Sequence, residues 1–198
     1  MAQAKVLNDK ELKRVQAVIA AKKHAARNKA MLLLTFWAGM RVGEVATLLV
    51  GDVLDTDGKV RDQIRLTAAQ TKGSNSRIVV LPQKLQAELA SYLADRFETQ
   101  NLVAVAYAAS DKPLFVTQKH TTFSANSLAQ HFSTIYAEAG LIGASSHSGR
   151  RSFITNLANK GVGVRVLMQL ASHKHLSTTQ RYIDCNDGML RSAVELVA

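Results

Sequence analysis

The final third of the chain carries His147-Ser148-Gly149-Arg150-Arg151, then Ser172-His173, then Thr178-Thr179-Gln180-Arg181-Tyr182. One histidine stands three residues before an arginine, and a second stands nine residues before a tyrosine. These side chains supply what an attack on a phosphodiester requires: cations for the phosphoryl oxygens, proton carriers and a phenolic nucleophile. Without a metal, the nucleophile must stand in line with the leaving oxygen. Donors must also meet the charge growing on the non-bridging oxygens, and an acid must protonate the departing alkoxide. A phenolate is a moderate leaving group, so transfer to tyrosine can reverse and the bond energy is kept. Guanidinium suits the clamping role because its fork of donors keeps its charge near neutrality. Each part is common in proteins. The ordered set carries the signal.

Taken one by one, the same residues have plainer readings. An isolated Tyr182 reads as an aromatic anchoring the last helices, and Ser146-His147 as a polar helix cap. Arg41, at the start of a short helix, reads equally as a surface cap, although that backbone end also attracts anions. Lys72 lies in Thr71-Lys72-Gly73-Ser74-Asn75-Ser76-Arg77, where a solvated turn lysine is the simple alternative. Glu44 could orient Arg41 or a neighbouring cation, and a turn-forming role suffices for Asp52. His175 reads as a surface residue beside His173.

Composition bounds these possibilities. The chain has 198 residues, enough for one domain with a sizeable core. Hydrophobic residues make up 47%, which predicts a globule rather than disorder. The formal charge of +10 favours a polyanionic partner, since neutralised phosphates release counterions. A single cysteine, Cys185, excludes an internal disulfide framework and any multi-cysteine zinc site, and reads as a buried structural thiol. The sequence offers no P-loop and no metal-ligand spacing, so no cofactor or metal is expected. The longest apolar run, Ala30 to Met40, is too short to span a bilayer, and no signal-peptide pattern follows the basic N-terminus. A cytoplasmic protein is the plain expectation.

The elements that must position these side chains follow from periodicity. Asn8 with Glu11 forms a capping-box pattern opening a helix from Asp9 to about Ala25, with Leu12, Val15, Val18 and Ile19 inward. Lys10, Lys13, Arg14, Lys22 and Lys23 form its solvated basic face. A second, largely buried helix runs Asn28 to Gly39, and a short third one Val42 to Leu49. Gln63–Thr67 and Arg77–Leu81 read as strands joined through Gly73-Ser74-Asn75-Ser76, a hairpin. Pro82 opens a helix carrying Leu85, Leu89, Tyr92 and Leu93. Asn101 to Pro113 reads as a connection. Further helices are expected at Ser127–Ala139, Gly149–Lys160, Val164–Ala171, Ser177–Tyr182 and Gly188–Val197. The fold class is mainly α with a small antiparallel β-sheet, in one domain spanning 1–198.

The ordered residues resemble the tyrosine recombinase (phage integrase) family over roughly Leu32 to Tyr182. Its signature is H-x-x-R, then a Gly-His or similar pair, then the nucleophilic Tyr. Ala38-Gly39-Met40-Arg41-Val42-Gly43-Glu44 is similar to the family's G-x-R-x-x-E box, and Thr71 to Arg77 to its T-K-G-x-x-x-R hairpin. The resemblance implies a catalytic set of Arg41, Lys72, His147, Arg150, His173 and Tyr182. In it Arg41 and Arg150 clamp the phosphate, Lys72 donates a proton to the leaving 5′ oxygen, and His147 serves as an acid/base contact. Tyr182 becomes the 3′-phosphotyrosyl nucleophile. Two positions depart from the pattern: Arg151 stands where many members have His, and Ser172 replaces the Gly before His173. Ser at that helix end makes a positive φ less assured. The implied activity is site-specific cutting and rejoining of double-stranded DNA by four protomers on paired sites. Relaxation like a type IB topoisomerase, or DNA binding by a non-catalytic descendant, are the alternatives. Fewer than forty residues precede the first box, too few for a separate N-terminal core-binding domain at ordinary sizes. The expectation is a compact recombinase or an excised catalytic domain. Met189, Leu190, Val194, Leu196 and Val197 form an apolar set that could pack on another protomer or fold back onto the core.

Overall fold

The computed structural model describes residues 3–71, 75–183, 190–191 and 194–195. Helix α2 (Ala25–Trp37) is the centre of the fold. Met31, Leu32, Leu33, Leu34 and Phe36 are all buried, so the helix is covered on every side and its sequence shows no polar stripe. Around it pack α1 (Asp9–Ala20), α3 (Val42–Ala46), α5 (Gln83–Phe97) and α8 (Ser148–Asn159). The capping box on α1 is formed: Asn8 Oδ1 accepts from the Glu11 N–H at 2.9 Å, and the Asn8 N–H donates to Glu11 Oε2 at 3.1 Å. Leu12, Val15 and Ile19 face the core, as their spacing requires.

Several boundaries differ from the periodicity. The first helix stops at Ala20 rather than about Ala25, because His24 takes a left-handed conformation (φ 65°) and restarts the chain into α2. Nothing at that turn is Gly or Pro, so no composition signal marks it. The third helix ends at Ala46, and a separate turn, α4 (Val50–Val53), follows. Asp52 caps this turn: its Oδ2 accepts the Leu49 N–H at 2.9 Å and Gln70 Nε2 at 2.8 Å. The stretch read as a connection contains α6 (Leu102–Ala109), capped by Asn101. Its sequence lacks polar alternation, and only Val105 and Ala109 are buried, so helical periodicity was invisible there.

The hairpin is present. Strands β1 (Gln63–Leu66) and β2 (Arg77–Val80) pair antiparallel, with Ile64 opposite Val79 and Leu66 opposite Arg77. That register sends Ile64, Leu66, Val79 and Arg77 inward while Ile78 and Val80 face out. An arginine thus occupies a core-facing position of a strand. Helix α7 (Ala125–Glu138) completes the core through Leu128, Phe132, Ile135 and Tyr136. The C-terminal part runs through α8, α9 (Val164–Ala171) and α10 (Leu176–Gln180), with α9 packed on both α8 and α10. The expected helix from Gly188 to Val197, together with Cys185, Met189, Leu196 and Val197, lies outside the described residues. Leu190 and Val194 are exposed.

Candidate functional site

The site is built around one buried carboxylate. Glu44, 1% exposed, sits in α3 and accepts four N–H groups. The Arg41 backbone N–H and Arg77 Nη2 reach Oε2 at 2.8 and 2.6 Å. Arg41 Nη1 and Arg77 Nε reach Oε1 at 2.8 and 3.0 Å. Each oxygen therefore serves both arginines. Burial alone would raise the Glu44 carboxyl, but Arg77 and Arg41 hold it below the usual range. Arg77 Nη1 also donates to the Leu170 carbonyl at 3.3 Å, which ties the hairpin to α9.

Arg150 comes from the first turn of α8, and 6% of it is exposed. Its Nη1 donates to the Gly39 carbonyl at 2.6 Å and its Nη2 to the Ala171 carbonyl. Two of five guanidinium N–H groups are spent in this way. Two glycines make the arrangement possible. Gly39 has φ 65°, and a Cβ there would lie 2.4 Å from the Phe153 ring; a Cβ on Gly149 would lie 2.0 Å from Thr35 Oγ1. Both allow α8 to approach α2 closely enough to reach the Gly39 carbonyl. Burial first, then the charges of Arg41 and Arg77, push the Arg150 pKa down to about 9, while Glu44 and Tyr182 act in the opposite sense. It stays charged at neutrality.

His173 follows the C-cap of α9. Ser172 adopts the left-handed conformation (φ 49°), so the turn forms without glycine, and the His173 N–H bonds back to the Met168 carbonyl at 3.0 Å. The imidazole Nδ1 is hydrogen-bonded to Thr179 Oγ1 at 3.0 Å. Thr179 is fully buried, and its carbonyl accepts the Tyr182 N–H at 3.0 Å. The His173 and Tyr182 rings stack, with centroids 5.6 Å apart. Burial, then Arg150, Arg41 and Arg77, depress the His173 pKa to about 4. The imidazole is neutral at pH 7 as a result.

Arg41, Arg150, His173 and Tyr182 are thus brought together. Lys72 lies outside the described residues; beside it, the Thr71 hydroxyl donates to the Asn75 carbonyl at 2.6 Å. His147 takes the N-cap position of α8 with no side-chain capping bond and is exposed. Its side chain makes no hydrogen bond to this group among the described residues. Arg77 and Thr179 join this group; both lie within the sequence motifs, where neither was given a role. Arg77's signal was its inward strand register, and Thr179's was the doubled threonine before the tyrosine.

Arg41 and Arg77 share the Glu44 carboxylate and Arg150 adds a third cation beside them, so the cluster carries net positive charge, and burial first, then these cations, keep His173 neutral. The arrangement suits a small, doubly coordinated anion such as a phosphate, with a phenol beside it. No group of His, Cys, Asp and Glu that could hold a metal occurs among the described residues.

Residues 5–189 match the model of the phage integrase family. The chain belongs to the phage integrase family. Similar proteins include the tyrosine recombinase XerA of Thermococcus kodakarensis, 29% identical over 191 residues that cover 96% of this chain and 62% of that protein. Another is the tyrosine recombinase XerD of Neisseria meningitidis serogroup A, 32% identical over 173 residues, covering 87% of this chain and 55% of the relative. The chain therefore spans less than two thirds of the length of these relatives. Among solved structures, a XerA recombinase superposes with TM-score 0.75 at 24% identity over 99% of this chain and 66% of that one. A XerH site-specific recombinase, bound to palindromic difH substrate in a post-cleavage complex, gives TM-score 0.70 at 24% identity over 96% of this chain and 51% of that one. The fold is that of the integrase-family members, and no helix among the described residues is long and apolar enough to cross a membrane.

Proposed function

We propose that this integrase-family chain cuts and rejoins double-stranded DNA at a specific site through a 3′-phosphotyrosyl intermediate. The observation that carries the reading is the convergence of Arg41, Arg150, His173 and Tyr182 in one positively charged cluster held by Glu44 and Arg77. The Tyr182 Oη–phosphorus bond forms as the bond from phosphorus to the 5′ oxygen breaks. The phenolic proton leaves to solvent, and the 5′ oxygen gains one, assigned to Lys72 from its place in the Thr71–Arg77 segment. Arg41 and Arg150 meet the charge on the non-bridging oxygens. His173, neutral before DNA arrives, donates or accepts a proton once a phosphate offsets the surrounding cations. His147 supplies a further contact from the α8 N-terminus. Reversal by a partner strand's 5′ hydroxyl rejoins the DNA without a nucleotide or metal.

The charge of +10 and the post-cleavage DNA complex of the XerH relative support DNA as the partner. Assembly of four protomers on paired sites is part of the proposal, supported by the exposed Leu190 and Val194. The decisive experiment uses duplexes selected from a random pool by binding to the protein, then nicked beside the cleavage point. The wild type should accumulate covalent protein–DNA adduct. Tyr182→Phe should bind equally well and form none; adduct in that variant would remove the nucleophile from the scheme.

A further inference from the structure

Tyr182 lies two residues beyond the end of α10, a helix of five residues; its N–H is held by the Thr179 carbonyl and its ring stacks on His173. Further restraint comes from α8. The Arg151 guanidinium carbon lies over the Tyr182 ring, 5.8 Å from its centroid. One turn later, the Thr155 hydroxyl donates to the Tyr182 carbonyl at 3.3 Å. Residues at i and i+4 share a helix face, so a single stripe of α8 holds the tyrosine by its ring and by its backbone. The Arg151 Nε is buried and has no hydrogen-bond partner among the described residues. A buried donor left unpaired is costly. Among the described residues the contact of this side chain is with the electron-rich face of the Tyr182 ring.

Consecutive helical residues point about 100° apart. Arg150 accordingly turns toward the carbonyls of Gly39 and Ala171, while Arg151 turns toward the tyrosine. We propose that Arg151 is a positioning residue for the nucleophile, holding the Tyr182 phenol for attack through its cation–ring contact instead of gripping the DNA backbone. This rests on Tyr182 being the nucleophile. A planar guanidinium stacks on an aromatic face better than an ammonium does, which distinguishes Arg from Lys at this position.

The test uses the full chain on the nicked duplexes, with adduct rate measured at saturating protein and affinity measured over a range of salt. Arg151→Met keeps the length and removes the charge. It should form adduct roughly 10- to 100-fold more slowly at saturation, the loss expected of a misplaced reacting group, with affinity and salt slope unchanged. Arg151→Lys should recover part of the rate, and Thr155→Val should slow adduct formation to a smaller degree. Weaker binding with the salt slope reduced by about 1 and the saturated rate intact would make Arg151 a phosphate contact and overturn the proposal. A wild-type rate in Arg151→Met would reduce it to packing, which also overturns it. Should Arg151→Met fail to fold by circular dichroism, the rates of the lysine and Thr155→Val variants decide in the same way. Tyr182→Phe run in parallel separates the two levels: adduct there defeats the nucleophile assignment itself.

Discussion

Replacing Glu44 by Gln should disable the site from beneath. The carboxylate is 1% exposed and accepts four N–H groups, with each oxygen taking one bond from Arg41 and one from Arg77. An amide has one acceptor oxygen. Whichever way it is turned, its NH2 group faces two donors, so each arginine loses one bond. The Arg77 side chain is 5% exposed and is left without its counter-charge. Removing one partner of a buried ion pair costs about 3–5 kcal/mol. At about 2–4 °C per kcal/mol for a chain of this size, the melting temperature should fall by roughly 6–20 °C. Urea denaturation of Glu44→Gln, Arg77→Met and the double variant measures both the cost and the coupling. The double variant should be less destabilised than the sum of the singles by at least about 1 kcal/mol, because the second change removes a charge that the first stranded. Adduct formation by Glu44→Gln below its melting point should drop by about 100-fold as Arg41 loses its fixed direction. A cost below about 1 kcal/mol, or strict additivity with Arg77→Met, would refute the reasoning.

Two further outcomes follow from the same geometry. His173 has a folded pKa of about 4 against an ordinary value of 6.5, so between those pH values the unfolded chain binds more protons there. Its contribution to stability is therefore lost as pH falls from 6.5 toward 4. His24 and His131 are also depressed, first by burial, and add slope in every variant. The difference between wild type and His173→Asn isolates the one group, and parallel stability curves across that window would sink the assignment. Gly149→Ala should destabilise by about 3 kcal/mol or more through overpacking. Thr35→Ala should relieve only part of this, because the new Cβ also meets Thr35 Cβ at 2.8 Å; full rescue on thermal melting would contradict the close approach of α8 to α2.

Legibility differed from residue to residue. The Asn8–Glu11 cap, the inward face of α1 and the two strands were readable because each is a local pattern with a fixed period or a paired donor and acceptor. The break at His24 was not, since a left-handed histidine carries no compositional mark. Helix α6 was missed because a nearly uniform apolar and small-residue segment has no phase to read. Ser172 shows the reverse: the substitution weakened the case for a positive φ, yet the turn forms, with the His173 N–H bond to the Met168 carbonyl stabilising it.

The order and types of Arg41, His147, Arg150, His173 and Tyr182, and the surplus of positive charge, were present in the one-dimensional chain. They pointed to the class of chemistry proposed here because side-chain identity limits which protons and charges a residue can carry. Which cations gather was a matter of tertiary structure alone. Strand register turned Arg77 inward to meet Glu44, and two glycines let α8 reach the Gly39 carbonyl. The neutral state of His173 was likewise decided there, since only proximity and burial set the strength of an electrostatic field.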